Sequence, residues 1–355
     1  MNPEVKKVVW IVFLGKQGGG VPLLRETELV LSESSYSVLS IVSKIQNSIL
    51  PNSIEIRTPY KSVKGLIHFV TFPLHTFVLF FRSKGSLPLA LVQIMPSPMD
   101  YWLDLWCAVF KIHVYRAIHD FAPHPGELWP TRGALKRRLK FATTLFVFSS
   151  FVASNLEGWR AKGISKCQLP AENYPEGGID PDLEKIVNDL RSPIILFIGR
   201  FREYKGLSFL LDAIKGEPDL KCSFLLAGSG KIEIGLATKV SVWNQWLSES
   251  EIDFLLTSAD IVIFPYIEAS QSGMLSLAKG KGRIILATRV GALEEQLEGY
   301  DDKILVRTLD SEGLVQGLVD CIKLYEQRVN SKDIVVSDNP KSLGRNVIAR
   351  LSNNF

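Results

Sequence analysis

Two of the five histidines of this chain fall within one short stretch, IHDFAPHPGE, which runs from Ile118 to Glu127. His119, His124, Asp120 and Glu127 offer imidazole and carboxylate groups, which bind metal ions or transfer protons. A metal site would need a further ligand in a defined geometry, and the two prolines of the stretch supply none. The residues alone therefore leave three hypotheses open: a metal site, a catalytic loop or an ordinary surface turn.

A second candidate group follows the apolar run from Ile194 to Ile198. Gly199 permits a tight turn there, and Arg200 and Lys205 come shortly after it. The guanidinium fork of an arginine and the point charge of a lysine both suit the oxygens of a phosphate group. The spacing therefore favours a diphosphate site beyond a strand end, and a solvated basic loop is the alternative.

Short apolar runs alternate with helical patterns along the whole chain. The predicted strands are Val8–Leu14, Leu89–Ile94, Val114–Ile118, Leu145–Phe148, Ile194–Ile198, Ser223–Ala227, Ile261–Phe264 and Ile284–Ala287. Amphipathic stretches between them, such as Gly206–Ile214 and Ser250–Thr257, predict helices. The alternation predicts an α/β architecture with parallel sheets. Runs that are apolar on both faces are typical of strands covered by helices on both sides.

The length and one proline- and glycine-rich segment predict two domains. At 355 residues, the chain exceeds the size of one ordinary core. The segment from Cys167 to Asp182 has the composition of a linker. We predict an N-terminal domain over 1–170, a linker over 171–182, a C-terminal domain over 183–335 and a tail over 336–355 that packs back on the N-terminal domain. The fold class is α/β, with two Rossmann-like domains facing each other across a cleft and ligands at the carboxyl ends of the strands.

The composition limits the compartment and the partners. A formal net charge of +4 suits anionic ligands or an anionic membrane surface and gives no argument for nucleic-acid binding. The four cysteines form no CxxC pair, so reduced thiols in a cytoplasmic protein are the simplest interpretation. The N-terminal apolar run is short and leads into a glycine loop, so it predicts a buried strand rather than a signal peptide.

Three stretches of the second half carry a family resemblance. They are GRFREYKGLSFLLDAI, LLAGSG and ADIVIFPYIEASQSGMLSLAKGKGRIILATRVGALEE, in this order. Together with HDFAPHPGE and FVFSSFVASNL in the first half, they resemble a GT-B fold glycosyltransferase of group 1, and in particular the retaining family 4 enzymes. The resemblance implies that the second domain binds a UDP- or GDP-linked sugar and that the first domain holds the acceptor, with no cofactor and no metal.

The resemblance also implies roles for individual residues. Arg200 and Lys205 would neutralise the leaving diphosphate, and His119 would complete the catalytic set by hydrogen-bonding the donor sugar. The donor-binding residues would be Gly19, Gly228, Ser229, Glu268, Ser270, Ser272, Gly273 and Met274. The acceptor side would comprise Gly18, Asp120, His124 and Glu127, with Glu127 as a candidate base.

The sequence departs from the family at one position. The family pattern has two glutamates separated by seven residues, and the position where the second should follow Glu268 is Ser276. A catalytically silent GT-B subunit that binds a partner enzyme is therefore one alternative. A sugar-nucleotide epimerase, which can share the two-domain fold, is another. The presence of His119, Arg200 and Lys205 favours an active transferase.

Three stretches of the first half predict a membrane-facing side. They are the apolar Leu66–Phe81, which is shorter than a spanning helix, Asp100–Phe110 with Trp102 and Trp106, and the basic RGALKRRLKF at 132–141. Together they predict a peripheral contact with anionic lipid on the inner face of the membrane. A lipid-linked acceptor in surface polysaccharide or glycolipid assembly fits this surface. Two core helices and a solvated basic face are the alternative.

Overall fold

The computed structural model describes residues 7–14, 20–43, 53–56, 71–74, 76–78, 87–97, 99–122, 131–157, 163–170, 174, 177–233, 240–307, 310–331 and 343–354. Gly18, Gly19, His124 and Glu127 lie outside this part of the chain, as does much of the apolar stretch 66–81. The chain divides into two units. The first comprises Met1–Pro170 and Asn339–Phe355, and the second comprises Ala171–Asp338.

The first unit is built on a parallel sheet. Its strands are β1 (Val8–Phe13), β2 (Ser37–Ser43), β3 (Ser53–Ile56), β4 (Ala90–Gln93), β5 (His113–Ile118), β6 (Thr144–Val147) and β7 (Ile164–Lys166). They hydrogen-bond in the order β3-β2-β1-β4-β5-β6-β7, and every pair is parallel. The helices of this part are α1 (Gly20–Ser32), α2 (Asp100–Val109), α3 (Arg132–Phe141) and α4 (Ser150–Glu157).

The second unit contains another parallel sheet. Its strands are β8 (Ile194–Ile198), β9 (Ser223–Gly228), β10 (Val240–Asn244), β11 (Ile261–Phe264), β12 (Ile284–Thr288) and β13 (Lys303–Val306). Their order is β10-β9-β8-β11-β12-β13, again with every pair parallel. The helices are α5 (Pro181–Asn188), α6 (Leu207–Gly216), α7 (Glu249–Ser258), α8 (Gly273–Gly280), α9 (Leu293–Gln296) and α10 (Ser311–Ser331).

Both sheets follow the doubly wound strand order. The chain runs outward from β1 to β3 and then returns to the other side of β1 with β4, and the second sheet repeats this course from β8. The order therefore reverses between β1 and β4 and between β8 and β11, and ligands bind at such reversals in folds of this kind. Each unit is Rossmann-like, as predicted. The eight predicted strands agree with the observed strands to within about one residue at each end.

Both faces of the second sheet are buried, because its strands alternate between two apolar clusters. In β8, Leu196 and Ile198 pack into a cluster that includes residues of α7. Ile195 and Phe197 point the opposite way and pack with residues of α6 and α10. Every residue of β8 is buried. This two-sided burial confirms the inference from the unbroken apolar runs of the sequence.

The helix α11 (Leu343–Asn354) belongs to the first unit, although it follows the second unit in the chain. Val347 and Leu351 lie four residues apart, on one face of this helix. Both are fully buried and share an apolar cluster with Leu24 and Leu31 of α1. The core of the first unit is therefore completed by a segment from the far end of the chain.

Four buried charged side chains join β5 to α2 and α3. Arg116 of β5 forms an ion pair with Asp104 of α2. Arg138 of α3 lies 3.2 Å from Asp100 between Nε and Oδ2, and it donates to Oε1 of Gln93 at 3.1 Å. Burial raises the pKa of Asp104 to about 6 in spite of the neighbouring arginines. Since Arg138 is only 2% exposed, it is a structural residue, which corrects its assignment to a solvated or membrane-facing basic stretch.

The tryptophans of α2 face the interior of the first unit. Trp102 and Trp106 pack against one of its apolar clusters, and Nε1 of Trp106 donates to the carbonyl oxygen of Pro73 at 3.2 Å. The large apolar side chains that α2 exposes are Tyr101, Leu105 and Val109. Within the described ranges, no helix is long and apolar enough to cross a membrane.

Candidate active site

The ends of β8 and β9 meet at two glycines. Gly199 follows β8 with a φ of +130°, and its amide donates to the carbonyl oxygen of Ala227 at 2.9 Å. Gly228 has a φ of +150°, and a Cβ added there would lie 1.9 Å from the carbonyl oxygen of Gly199. Only glycine permits this approach. Gly228 is therefore required by the packing of two strand ends, and its role in donor binding stays a prediction.

A short 3-10 turn, Glu203–Lys205, returns Lys205 to the end of β8. Its Nζ donates to the hydroxyl of Tyr266 at 2.6 Å and lies 4.3 Å from the centre of that ring. A Cβ added to Gly199 would lie 3.3 Å from the same Nζ. Tyr266 follows β11, so the ammonium group of Lys205 lies by the ends of β8 and β11, where the strand order reverses.

The loop after β11 is tied to three other segments. The amide of Ile267 donates to the carbonyl oxygen of Tyr204 at 2.8 Å, and the hydroxyl of Thr288 donates to the carbonyl oxygen of Tyr266 at 2.6 Å. Gly291 approaches so closely that a Cβ added to it would lie 1.4 Å from the carbonyl oxygen of Ala269. The loop is therefore held in one position relative to the lysine-bearing turn.

The same loop leads into α8 through Ser272, the N-cap residue. Its hydroxyl accepts from the amide of Leu275 at 3.3 Å and lies 3.5 Å from the hydroxyl of Tyr266. No atom outside its own neighbourhood lies within 4 Å of a Cβ added to Gly273, so packing does not require glycine there. The first amides of a helix have no partner within the helix and favour anions. The hydroxyl of Tyr266 therefore lies between the ammonium group of Lys205 and the N-cap residue of α8.

The side chain of Gln296 in α9 forms hydrogen bonds with the first residues of α8. Its Oε1 accepts from the amide of Ser272 at 2.8 Å, and its Nε2 donates to the carbonyl oxygen of the same serine at 3.1 Å. The Nε2 group also donates to the hydroxyl of Ser276 at 3.1 Å. Ser276, which occupies the position of the expected second glutamate, is buried and engaged within the protein. It therefore supports the helix start instead of presenting a carboxylate.

The remaining predicted residues of the second unit differ in exposure. Arg200 and Glu268 are exposed, Ser229, Gly273 and Met274 are half-buried, and Ser270 is buried. Ser229 accepts from the amide of Phe201 through its carbonyl oxygen at 2.9 Å. The structure thus brings Lys205 and Ser272 together through Tyr266. Neither Tyr266 nor Gln296 was predicted from the sequence to belong to the site.

In the first unit, His119 and Asp120 follow β5 directly, at the carboxyl end of the sheet as predicted. Nδ1 of His119 lies 2.9 Å from Oδ2 of Asp120. The two side chains are 26% and 21% exposed, so the pair reaches the surface of this unit. Across the described residues, no cluster of three or more histidine, cysteine, aspartate or glutamate side chains could hold a metal ion.

These two doubly wound units have the GT-B fold, and solved structures of that class are similar along nearly the whole chain. The catalytic domain of starch synthase IV from Arabidopsis thaliana, bound to ADP and acarbose, has a TM-score of 0.72 at 15% identity and covers 98% of this chain and 99% of its own. The UDP-GlcNAc 2-epimerase from Methanocaldococcus jannaschii has a TM-score of 0.64 at 14% identity, with coverages of 98% and 100%. Identities this low show the fold alone.

The sequence comparisons are more specific. The family model for glycosyl transferases group 1 matches residues 192–323. This match, together with the fold, confirms the resemblance to GT-B glycosyltransferases of group 1. The GDP-mannose:glycolipid 4-beta-D-mannosyltransferase of Xanthomonas campestris pv. campestris is 24% identical over 49% of this chain and 49% of its own length. The chain thus spans about half the length of the curated relatives it matches.

Proposed function

We propose that this chain is a glycosyltransferase that moves a sugar from a nucleoside-diphosphate donor to a glycan or lipid-linked acceptor in surface polysaccharide or glycolipid assembly. One observation carries the proposal: the ammonium group of Lys205 is held by Tyr266 at the reversal of strand order in the second unit. Arg200 comes from the same loop, and the start of α8 reaches Tyr266 through Ser272. An ammonium group held beside the start of a helix suits a diphosphate, and Arg200 is proposed to supply the second cation.

Sugar transfer requires the protein to stabilise the negative charge that forms on the leaving diphosphate. When the bond between the sugar and the diphosphate breaks, negative charge grows on the departing oxygen. Groups that are already fixed in position lower this barrier, because they need no reorganisation during the reaction. Arg200, Lys205 and the amides after Ser272 are assigned this role. In this proposal the protein itself balances the charge, so the enzyme is metal-independent and takes no cofactor.

The compounds in the names of the similar proteins support the donor class. The mannosyltransferase is named for GDP-mannose, the starch synthase is bound to ADP, and the epimerase is named for UDP-GlcNAc. These compounds share a nucleoside diphosphate and differ in base and sugar. We therefore propose a UDP- or GDP-linked sugar. Gly19, Gly228, Ser229, Glu268, Ser270, Gly273 and Met274 remain proposed donor contacts.

The acceptor is proposed to bind to the first unit, at a membrane surface. The exposed face of α2 carries Tyr101, Leu105 and Val109. Arg137 of α3 lies 5.0 Å from the ring centre of Tyr101 and so joins a basic helix to this apolar face. Apolar side chains bordered by basic ones favour anionic lipid. This supports a cytoplasmic enzyme at the inner face of the membrane with a lipid-linked acceptor, and Gly18, His124 and Glu127 remain proposed acceptor-side residues.

The stereochemical course is open between two predictions. The resemblance to family 4 implies retention of the anomeric configuration. The name of the curated mannosyltransferase, in contrast, states a β linkage. A β-linked product made from an α-linked donor requires inversion.

Two other functions remain as competing outcomes. The fold is shared with an epimerase, which would convert a nucleotide sugar without an acceptor. Ser276 in place of the second glutamate would suit a silent subunit, which would bind a nucleotide without turnover. Analysis of what becomes of the nucleotide sugar, with and without acceptor, separates the three functions: a transferase glycosylates the acceptor, an epimerase converts the donor without it, and a silent subunit leaves the donor unchanged.

The diphosphate assignment is tested by removing its two cations. After a thermal-shift screen has selected between GDP and UDP, Arg200→Ala and Lys205→Ala should each weaken binding of that nucleotide in calorimetry. A hydrogen bond to a charged group contributes about 1.5–3 kcal/mol, which corresponds to roughly 10- to 150-fold in Kd. Lys215→Ala is the control, because Lys215 is exposed at the other end of α6. Unchanged affinity in both site variants would remove the assignment.

A further inference from the structure

We propose that Trp246 stacks on the base of the donor nucleotide and thereby selects a purine, so that a GDP-linked sugar binds in preference to a UDP-linked one. This inference rests on the proposed function and deepens it, because it names the class of base that the same site takes. In this role Trp246 determines which nucleotide is accepted, whereas Arg200 and Lys205 are proposed to hold the diphosphate.

The indole of Trp246 lies at the surface of the second unit. It is 56% exposed, although tryptophan is highly buried on average. Trp243, three residues earlier, is 7% exposed and belongs to the core. A single exposed apolar residue is common in proteins, so the position of Trp246 in the sheet decides what it can contact.

The backbone on both sides of Trp246 is held in place. Asn244, the last residue of β10, accepts from the amide of Gly230 through Oδ1 at 3.1 Å. Its Nδ2 group donates to the carbonyl oxygen of the same glycine at 3.0 Å. Leu247 packs against a core cluster, and Ser248 caps α7. The indole therefore projects from a fixed turn, so a ligand that covers it orders little additional backbone.

The packing around the candidate phosphate site limits the direction in which a nucleoside can extend. On the side of β12, the hydroxyl of Thr288 donates to the carbonyl oxygen of Tyr266 at 2.6 Å. A Cβ added to Gly291 would lie 1.4 Å from the carbonyl oxygen of Ala269. The loop after β12 is thus packed directly on the loop after β11, and the protein itself occupies this side.

Glycines mark the opposite side, toward β9 and β10. Gly199 follows β8, Gly228 ends β9, and Gly230 comes two residues later, with a half-buried Ser229 between the last two. No side chain of these glycines extends beyond the strand ends, which permits a ligand to approach the backbone. The ends of β8 and β10 are two strand spacings apart, about 10 Å. A nucleoside that extends over the glycines therefore brings its base to the end of β10, where Trp246 lies.

The chemistry of the indole favours one class of base. Every nucleobase has a π face that can stack on an aromatic side chain, and preferences among bases come from the strength of stacking. A purine has two fused rings and covers more of the fused indole rings than the single ring of a pyrimidine. Its larger contact area gives more dispersion attraction. Trp246 therefore favours guanine over uracil.

Calorimetry with GDP and UDP tests this selection. In Trp246→Ala, the Kd for GDP should rise by about 5- to 150-fold, the range that corresponds to loss of one base–aromatic stack. The Kd for UDP should rise less, so the preference for GDP shrinks. Trp246→Phe should retain part of the affinity. Val329→Ala is the control, because Val329 is another exposed apolar residue, 60% exposed on α10.

Two further measurements separate the base from the diphosphate. Inorganic pyrophosphate, which has no base, should displace GDP with the same inhibition constant in the wild-type protein and in Trp246→Ala, and with a higher one in Lys205→Ala. GDP should also quench part of the tryptophan fluorescence of the wild-type protein, and Trp246→Phe should abolish this quenching. Unchanged unfolding temperatures establish that the variants are folded.

The outcomes are distinct. An unchanged Kd for GDP in Trp246→Ala overturns the inference and leaves the proposed transferase function intact, as does a wild-type protein that binds UDP at least as tightly as GDP. Equal losses of affinity for GDP and pyrophosphate in Trp246→Ala also overturn it, because a disturbed turn would affect both ligands. A wild-type protein that binds neither nucleotide overturns the inference together with the proposed function.

Discussion

Tyr266 is the residue through which the parts of the candidate phosphate site contact one another. Its hydroxyl accepts from Lys205 and lies 3.5 Å from the hydroxyl of Ser272. Tyr266 itself is only 2% exposed. We infer that it positions the lysine rather than contacting the donor. A phenol buried beneath a charged group in this way restricts the ammonium group to one location before any ligand arrives.

A double-mutant cycle tests this positioning role. Tyr266→Phe keeps the ring and removes the hydroxyl, so we expect nucleoside-diphosphate binding to weaken by about 1 kcal/mol, the contribution of one typical hydrogen bond. In Lys205→Met, the same change should have little further effect, because the hydroxyl no longer has an ammonium group to orient. Calorimetry on the four proteins measures the coupling.

The control for this cycle is Tyr300→Phe, which removes a hydroxyl that donates to the carbonyl oxygen of Arg283 at 2.7 Å. That change should alter stability and leave nucleotide affinity intact. Additive effects of Tyr266→Phe and Lys205→Met would contradict the positioning role.

The sequence was sufficient to propose Arg200, Lys205 and His119, because charged or titratable side chains follow apolar strands there and lie in the stretches that resemble the family, and their roles stay predictions. It was not sufficient to select Tyr266 or Gln296. Tyr266 lies in a quoted motif, but an aromatic residue after a buried strand is more commonly part of the core. Gln296 meets Ser272 across 24 residues of chain, and no local spacing predicts that contact. Residues that act by positioning other residues can be identified only once the fold is known.

At the scale of elements, a buried ion pair connects α2 to the basic helix α3. Arg138 and Asp100 are both buried, so Arg138→Met leaves a carboxylate buried without its partner. We expect a loss of about 3–5 kcal/mol in the free energy of unfolding. Asp100→Asn combined with Arg138→Met should recover much of this loss, because neither buried charge remains. Chemical denaturation measures both proteins.

Lys140→Met is the comparison for the pair, since Lys140 lies on the same helix and is exposed. It should change the free energy of unfolding by less than about 0.5 kcal/mol. Equal losses in Arg138→Met and Lys140→Met would mean that the ion pair makes no special contribution.

The exposed sides of the same two helices give a prediction about lipid. Replacing Lys136 and Lys140 by glutamine should weaken binding to vesicles of anionic phosphatidylglycerol by about 2 kcal/mol, because each basic residue near such a surface contributes roughly 1 kcal/mol. Leu105→Gln combined with Val109→Gln should weaken it as well, by reducing the apolar area that enters the interface. Vesicle flotation at low and moderate salt measures the binding.

Leu29→Gln serves as the control for these variants, since Leu29 is 53% exposed on α1 and lies outside the proposed surface. Equal binding to anionic phosphatidylglycerol and neutral phosphatidylcholine vesicles would contradict the proposal of a lipid-binding surface. Equal binding by the wild-type protein and all variants would also contradict it. A concentration-dependent dimer that the Leu105 and Val109 changes abolish would assign the face to a second copy of the chain instead.

The strands that the sequence predicted are those at the centres of the two sheets. The strands it missed, β2, β3, β7, β10 and β13, lie toward the sheet edges. In β3 (SIEI) and β7 (ISK), no residue is fully buried, so polar side chains are tolerated and the apolar run is interrupted. The central strand β8 (IILFI) is buried along its whole length and has no polar residue. Burial on both faces is therefore the property that made a strand recognisable.

At the scale of the whole molecule, the proposed mechanism predicts how activity responds to chelation. If protein cations and helix amides alone balance the charge of the diphosphate, transfer should proceed at an unchanged rate in EDTA. The measurement is the initial rate before and after exhaustive chelation, with Mg²⁺ and Mn²⁺ returned separately. Loss of turnover that either ion restores would overturn the metal-independent mechanism.

The location of α11 determines the order in which the two units can be completed during synthesis. The segment between α1 and α11 comprises residues 33–342 and contains the whole of the second sheet. At roughly 5–20 residues per second, its translation takes about 15–60 s. Val347 and Leu351 later pack against the apolar side of α1. Throughout that interval they have not been synthesised, so they cannot cover it. The unit that emerges first from the ribosome is therefore finished last, after the second unit has been fully synthesised.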